Sequence, residues 1–191
     1  MCDPSLQPLN CIDEEAALKE SMRHLSEAGC RRIALLGLDN EDLICSQRRR
    51  LGPLHSSIAE GLGLSYARSA FTLPDPASVA AALENLAGTG ESFDGLYVAD
   101  DVVLSHAIGA LESRGLFPGE NLALITYSNH GASLPMGYQW SRMEFHPYQL
   151  GRLAVQCLVK DIQSAGEDLL SFSHQAQWIS GKTHRLSTNH F

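Results

Sequence analysis

Short apolar runs recur along the chain, and amphipathic stretches separate them. Three of the runs, at 33–37, 95–99 and 122–127, contain almost no polar residue. Runs of this kind are typical of strands that are buried on both faces of a parallel sheet. Weaker strands are predicted at 66–71 and 176–180, and residues 128–139 are predicted to form a loop.

Between these runs, apolar residues recur at three- and four-residue spacing, which predicts helices with one buried face. The alternation of strands and helices is sustained, so it predicts the α/β class with a mostly parallel sheet. The predicted helices run over 13–29, from about 46–52 to 61 or 63, from 75 through 86, over 101–114 and over 147–162.

Two of the predicted helices carry strong local signals. Asp75 is followed by Pro76, which is the preferred pairing of N-cap and first helical residue. Pro53 lies inside another predicted helix, where a proline costs about 3 kcal/mol. That helix is therefore expected either to begin after Pro53 or to be kinked there.

The junction around residue 100 is the first place to look for function. The run Gly95–Ala99 ends in Asp100 and Asp101, and a helical pattern begins at once and ends near Gly115. Either aspartate can cap this helix by accepting hydrogen bonds from its first N–H groups. In open α/β sheets, ligands bind at the carboxyl ends of the strands, so a ligand site is expected here.

Length, charge and cysteine content narrow the class of protein. The 191 residues are enough for one domain with a sizeable core. The net charge of −8 argues against a chain that itself binds the phosphate backbone of a nucleic acid. Five widely spaced cysteines without a CxxC pair suit free thiols in a reducing compartment. No apolar run approaches the ~20 residues of a membrane span, and no signal peptide is evident, so a cytoplasmic location is expected.

Motifs for cofactors and catalysis are absent from the sequence. It contains no GxGxxG, GxxxxGK[ST] or GxSxG motif, and its eight histidines show no HxxxH or HxH spacing. No catalytic residue, cofactor or metal site is therefore predicted. Asp100 and Asp101 remain candidates for chelating Mg²⁺ beside a phosphate, with helix capping as the alternative. The run Arg48–Arg50 is either a solvated face or directs one arginine inward to a hydroxylated or anionic ligand.

Five segments resemble, in order and spacing, motifs of the LacI/GalR-type transcriptional regulators. In chain order, these family motifs are L-x-x-x-G-H-R-R-I-A, S-x-x-R-x-x-G, D-A-[IVL]-x-x-x-N-D, G-[LI]-x-[VI]-P-x-D-[IL] and [IV]-[VI]-G-[FY]-D-[DN]. Their counterparts in this chain are residues 27–37, Ser46 with Arg49–Gly52, residues 93–101, residues 115–122 and residues 124–129.

The resemblance implies a lobe of the periplasmic-binding-protein-like type I fold, a three-layer arrangement around an open, mostly parallel sheet. Such a lobe senses a small-molecule effector, often a sugar or a nucleobase-like compound. The ligand-binding residues that the resemblance implies are Arg49, as the effector arginine, with Ser46, Asp100, Asp101 and Ser128. Asp100 stands where the family has asparagine, and Ser128 stands where it has the aspartate that usually binds sugar hydroxyls, so an atypical effector is expected.

The resemblance also implies a division of the chain. Residues 1–11 are expected to be loose, and residues 12–191 to form a single effector lobe, with helix 147–162 belonging to a first lobe that is missing. The DNA-binding helix-turn-helix of the family is absent too, so DNA contact is expected only through a head outside this sequence. A homodimer is implied, with Leu104, Ser105 and Ile108 of helix 101–114 as the candidate interface, unless its apolar residues simply cover the sheet.

Two other functions remain open at this point. One is a Mg²⁺-dependent, phosphate-handling α/β enzyme that uses Asp100 and Asp101 with Ser128 or Asp39 as a further ligand or nucleophile. The other is a solute-binding receptor of the same fold. The uncovered apolar side of helix 147–162 is expected either to fold back on its own lobe or to pack against another chain.

Overall fold

The computed structural model describes residues 10–39, 47–88, 92–163 and 172–185. Helices and strands alternate through most of this chain, as the hydrophobic pattern predicts. The elements are β1 Asn10–Ile12, α1 Glu14–Glu27, β2 Arg32–Leu38, α2 Gln47–Gly61, β3 Tyr66–Thr72, α3 Pro76–Ala87, β4 Gly95–Val98, α4 Asp101–Glu112, β5 Ala123–Asn129, β6 Ser141–Phe145, α5 Pro147–Gln163, β7 Phe172–His174 and β8 Gln177–Ile179.

Six strands form the main sheet in the order β3-β2-β4-β5-β6-β8. The first five run parallel, and β8 pairs antiparallel with β6. The predicted α/β class with a mostly parallel sheet is confirmed. A second sheet of two parallel strands, β1 and β7, was not predicted. It corrects the expectation that residues 1–11 are all loose, because Asn10 and Cys11 belong to β1; residues 1–9 lie outside the described residues.

Helices cover both faces of the main sheet and give it three layers. On one face, Leu36 and Leu124 pack in a cluster with residues of α3 and α4. On the other, Leu35 and Ile125 pack with residues of α1 and α2. Adjacent residues of one strand thus enter opposite cores, which is why these strands are apolar throughout.

Two local expectations have different outcomes. Asp75 caps α3 and Pro76 is its first residue, as predicted. Pro53, by contrast, lies inside α2, which begins before it at Gln47, so of the two alternatives the later start is wrong.

The segment between β5 and α5 was only partly predicted. β5 continues to Asn129 and so takes in Ser128, which was expected to begin a loop. Strand β6 was not predicted at all, and it places Glu144 beside Ser128 in the parallel register. One residue, His146, then separates β6 from α5.

Helix α5 has the predicted extent but an unusual environment. None of its residues with a described side chain is buried, and Tyr148 and Ile162 are 84% and 71% exposed. The expectation that α5 folds back on its own lobe is therefore wrong. Among the described residues, no helix combines the length and the apolarity that crossing a membrane requires.

Candidate functional site

The carboxyl ends of β2, β4 and β5 lie side by side, and Gln47 connects two of them. Its Oε1 accepts a hydrogen bond of 2.9 Å from the Leu38 amide at the end of β2. Its Nε2 donates to the Ala99 carbonyl, just after β4, at 3.2 Å and to Glu14 Oε1 at 2.9 Å. Gln47 is therefore a buried polar side chain at the edge of the sheet where ligands of this fold class bind.

Glu14 brings the first turn of α1 to the same edge. Its second carboxylate oxygen accepts a hydrogen bond from Arg50, with which it forms an ion pair. Arg48 pairs instead with Asp39 at 2.5 Å and lies over the ring of Phe71. The arginine that reaches toward the sheet edge is thus Arg50, and its charge is matched by Glu14.

The two aspartates after β4 take different roles. Asp100 is the N-cap of α4, because one of its oxygens accepts 2.9 Å hydrogen bonds from the amides of Val102 and Val103. Burial raises the pKa of Asp100, with a further contribution from the charge of Asp101. Asp101 accepts a hydrogen bond of 3.4 Å from the Asn129 amide, which joins the start of α4 to the end of β5.

The hydroxyl of Tyr127 lies near several carboxylates at this edge of the sheet. Burial raises the pKa of its hydroxyl, and the carboxylates of Glu14, Asp101 and Asp100 raise it further. The same hydroxyl donates to the Asn129 side chain at 3.2 Å. We call Glu14, Gln47, Asp101, Tyr127 and Asn129 the carboxyl-edge cluster. It concentrates oxygen acceptors, which are the groups that bind hydroxyl donors.

The residues expected to bind a ligand are not all brought to this cluster. Asp100, Asp101 and Ser128 lie at the ends of the neighbouring strands β4 and β5. Ser128 is only 1% exposed, and its Oγ makes no hydrogen bond with a described residue. Arg49 lies on the exposed side of α2, and Ser46 falls outside the described residues.

Gln47, Glu14 and Asn129 were missed by the sequence analysis. A signal was available for Gln47, because it follows a strand and a polar loop at the start of a helix. Because the arginines that follow are charged, the prediction fell on Arg49, two positions further along the helix.

The predicted dimer interface is corrected for two of its three residues. Leu104 and Ile108 are 0% and 7% exposed and belong to the core between α4 and the sheet, so neither presents a side chain to a partner. Ser105 is exposed, and its hydroxyl donates to the carbonyl of Asp101 at 3.0 Å. Val102, 49% exposed, is the large apolar residue that α4 does present.

A separate group of side chains lies where β5 and β6 end. His130 Nδ1 is 2.9 Å from Glu144 Oε1, and His146 Nε2 is 4.0 Å from the same oxygen. Burial by itself would raise the pKa of Glu144, but hydrogen bonds from His130 and Arg142 outweigh it and lower that pKa. Within the described ranges, this is the one group of three potential metal ligands, and neither Asp100 nor Asp101 belongs to it.

A cavity of about 560 Å³ lies at the far end of α1 from Glu14. Its lining includes His24, Trp178 and His184, and the ring of His24 stacks on that of Trp178 at 4.0 Å between centroids. The rings of His24 and Trp178 therefore pack against each other. The cavity lies apart from the carboxyl-edge cluster.

Residues 22–174 of the sequence match the periplasmic binding protein-like domain. A search of curated proteins gives no match.

Solved structures of similar fold include several transcriptional regulators. A LacI family transcriptional regulator from Bifidobacterium animalis subsp. lactis has a TM-score of 0.76 and 23% identity, over 92% of this chain and 63% of its own. One from Arthrobacter, in complex with lactose, has a TM-score of 0.71 and 19% identity over 91% and 64%. One from Enterococcus faecium, with bound ribose, has a TM-score of 0.71 and 14% identity over 91% and 64%.

At these identities the likeness concerns the fold. This chain spans less than two thirds of the length of each of those structures.

Proposed function

Because the chain belongs to the periplasmic binding protein-like family, we propose that it is the ligand-sensing part of a LacI-type transcriptional regulator. The observation that carries this proposal is the carboxyl-edge cluster, in which Gln47 and Asp101 stand at the ends of adjacent parallel strands. That is the place where α/β sheets of this kind bind their ligands.

The chemistry of the cluster favours a neutral, hydroxylated ligand such as a sugar. Its carboxylates and amide oxygens accept hydrogen bonds, and the cation that reaches it, Arg50, is paired with Glu14. An anionic ligand would meet the like charges of Glu14 and Asp101, which costs binding energy. The relatives crystallised with lactose and ribose fit the same class of ligand.

Within this proposal, Asp101 is the principal acceptor for ligand hydroxyls. Asp100 acts mainly by holding the first turn of α4, since one of its oxygens accepts from two amides. Arg49 and Ser46 are left out of this proposal, because Arg49 lies on the exposed side of α2 and Ser46 falls outside the described residues. Ser128 would contribute only through its hydroxyl, which is buried and makes no hydrogen bond with a described residue.

The exposed helix α5 supports a two-lobe arrangement for the intact regulator. We propose that its apolar residues, including Val155, Leu158 and Ile162, are covered by a first lobe beyond this sequence. Closure of two lobes around the ligand would shift a conformational equilibrium and reposition DNA-binding heads carried by a homodimer. The exposed side of α4, with Val102 and Ser105, is the corresponding candidate for a dimer contact.

The experiment is a titration of the ¹⁵N-labelled chain with ribose, lactose and, as an anionic comparison, ribose 5-phosphate, followed by amide chemical shifts. Such shifts register the weak binding expected of half a cleft. We expect ribose or lactose to shift the amides around Gln47, Asp101 and Asn129, and Asp101→Ala to remove these shifts. Glu84→Ala, on the exposed side of α3, is the matched control and should leave them unchanged.

Shifts confined to other regions, or shifts that survive Asp101→Ala, would contradict the proposed site. A stronger response to ribose 5-phosphate than to ribose would contradict the proposed ligand class.

A further inference from the structure

Three side chains, those of His130, Glu144 and His146, lie close together, although His130 is distant in sequence from the other two. His130 directly follows β5, Glu144 lies within β6, and His146 is the single residue between β6 and α5. The rings of the two histidines stack with their centroids 4.4 Å apart. Their candidate ligand nitrogens and the carboxylate oxygen all lie within 4.8 Å of one another.

Glu144 is held in one orientation by Arg142. The Nε and Nη2 atoms of Arg142 donate to Glu144 Oε2 at 2.9 and 2.7 Å. The other oxygen, Oε1, therefore faces the two histidines. Because the side chain of Glu144 is only 7% exposed, this orientation is maintained by its surroundings.

His146 is also positioned by a neighbour. Its main-chain amide donates a 3.4 Å hydrogen bond to Nε2 of His174 in strand β7. His130, in contrast, is 62% exposed and can adjust its ring. The group thus has a fixed carboxylate, a fixed backbone for one imidazole and one adaptable imidazole.

These distances suit a small ion with nitrogen and oxygen ligands. Zn²⁺ binds imidazole nitrogen and carboxylate oxygen at about 2.0–2.2 Å, which in a tetrahedron sets the ligands roughly 3.3 Å apart. The separations of 2.9 Å and 4.0 Å to Glu144 Oε1 bracket that value. Small rotations of the exposed His130 ring and of the His146 side chain would bring the three atoms to one ion.

We propose that His130 Nδ1, His146 Nε2 and Glu144 Oε1 form a binding site for a divalent transition-metal ion of the Zn²⁺ type. The fourth coordination position faces solvent on the side of the exposed His130 ring. The ion replaces the hydrogen bond between His130 and Glu144, and it binds the deprotonated nitrogen of each histidine.

The charge around the site sets its selectivity. Arg142 balances the one carboxylate, so the group offers little of the negative charge and few of the oxygens that Mg²⁺ and Ca²⁺ require. Two imidazoles favour Zn²⁺, Ni²⁺, Co²⁺ or Cu²⁺ instead. None of its three residues belongs to the carboxyl-edge cluster, although His130 directly follows Asn129 of that cluster.

Zn²⁺ titration of the full chain by isothermal titration calorimetry, with the thiols alkylated, tests the proposal. We expect one Zn²⁺ per chain and no heat from Mg²⁺. His130→Ala and His146→Ala should each weaken binding by at least about tenfold, since even outer-shell changes at metal sites cost 10–100-fold. His106→Ala, a histidine on α4, is the matched control and should bind as the unmodified chain does.

Co²⁺ provides a second readout that does not depend on heats, because a four-coordinate Co²⁺ ion absorbs in the visible range. That absorption should appear with the unmodified chain and with His106→Ala, and it should be lost in His130→Ala and His146→Ala. Thermal unfolding without metal verifies that the variants fold. Absence of Zn²⁺ binding by the unmodified chain, or equal affinity in His130→Ala and His146→Ala, would overturn the proposal.

Discussion

Gln47 Nε2 donates a 2.9 Å hydrogen bond to Glu14 Oε1, although 33 residues separate the two along the chain. The contact joins the first residue of α2 to the first turn of α1 across the end of β2. Together with its bonds to the Leu38 amide and the Ala99 carbonyl, it makes Gln47 the side chain that fixes the geometry of the carboxyl-edge cluster.

Gln47→Ala should therefore destabilise the fold strongly. It leaves the Leu38 amide and the Ala99 carbonyl without their buried partner, and unsatisfied buried groups cost about 1–3 kcal/mol each. We expect a loss of roughly 2–4 kcal/mol in the free energy of unfolding, measured by urea denaturation. Arg49→Ala, two positions along the same helix and exposed, should change it by less than about 0.5 kcal/mol. Equal effects of the two variants would refute the role assigned to Gln47.

Two of the aspartate N-caps, Asp75 and Asp100, should respond to pH in opposite directions. Burial raises the pKa of Asp100, so the folded chain holds that proton more tightly than the unfolded chain, and ionisation costs stability as pH rises above its ordinary value of 3.8. The pKa of Asp75 is lowered, mainly by the hydrogen bond from the Ser78 amide, so its contribution to stability is present above 3.8 and is lost as pH falls below it.

Asn accepts the same capping bonds without ionising. From pH 3 to pH 7, the stability of Asp100→Asn relative to the unmodified chain should rise, and that of Asp75→Asn should fall. Urea denaturation at both pH values measures these differences. The same sign in both variants would show that burial does not govern Asp100.

His55 should make the fold sensitive to mild acid. It is fully buried beside the hydroxyl of Ser69, and burial lowers its pKa from 6.5 to about 4. The folded chain keeps His55 neutral, so stability is complete above pH 6.5 and falls as pH decreases toward 4, by roughly 3 kcal/mol. His55→Gln should abolish most of this fall, and His106→Gln should retain it. The free energy of unfolding at pH 7.5 and pH 5 distinguishes these outcomes.

Two glycines should respond in opposite ways to alanine. A Cβ at Gly181 would meet the backbone of Gln139 and Trp140, including the Trp140 carbonyl oxygen at 2.5 Å, so Gly181→Ala should cost ~2 kcal/mol. At Gly109, inside α4, a Cβ meets nothing within 4 Å, and Gly109→Ala should raise stability by about 1 kcal/mol through helix propensity. Thermal unfolding checks both, and a neutral Gly181→Ala would contradict the close approach of β8's end to β6.

Much of the main sheet was predictable because its strands are buried on both faces. In β2, β4 and β5, apolar residues do not alternate with polar ones. This pattern does not depend on how the strands pack, so it can be recognised in the sequence alone. Strand β6 was not predictable in the same way, since Arg142 and Glu144 interrupt its apolar residues. The carboxylate of Glu144 is bound by Arg142 and by His130, and these contacts exist in the folded chain alone.

The candidate site was predicted at the level of strand ends and not of individual side chains. The position of Asp100 and Asp101 follows from the abrupt end of an apolar run. The arginine run was harder, because successive residues of a helix point about 100° apart and the sequence does not fix the helix's rotation. In the structure that rotation brings Gln47 and Arg50 toward Glu14 and leaves Arg49 exposed.

A single residue, His146, connects α5 to β6, so α5 can rotate as a rigid arm with His146 as its pivot. Its 17 residues span about 25 Å, so a rotation of 10° at the pivot moves its far end by roughly 4 Å. A small change in the backbone orientation at His146 would thus produce a much larger displacement at the far end of α5.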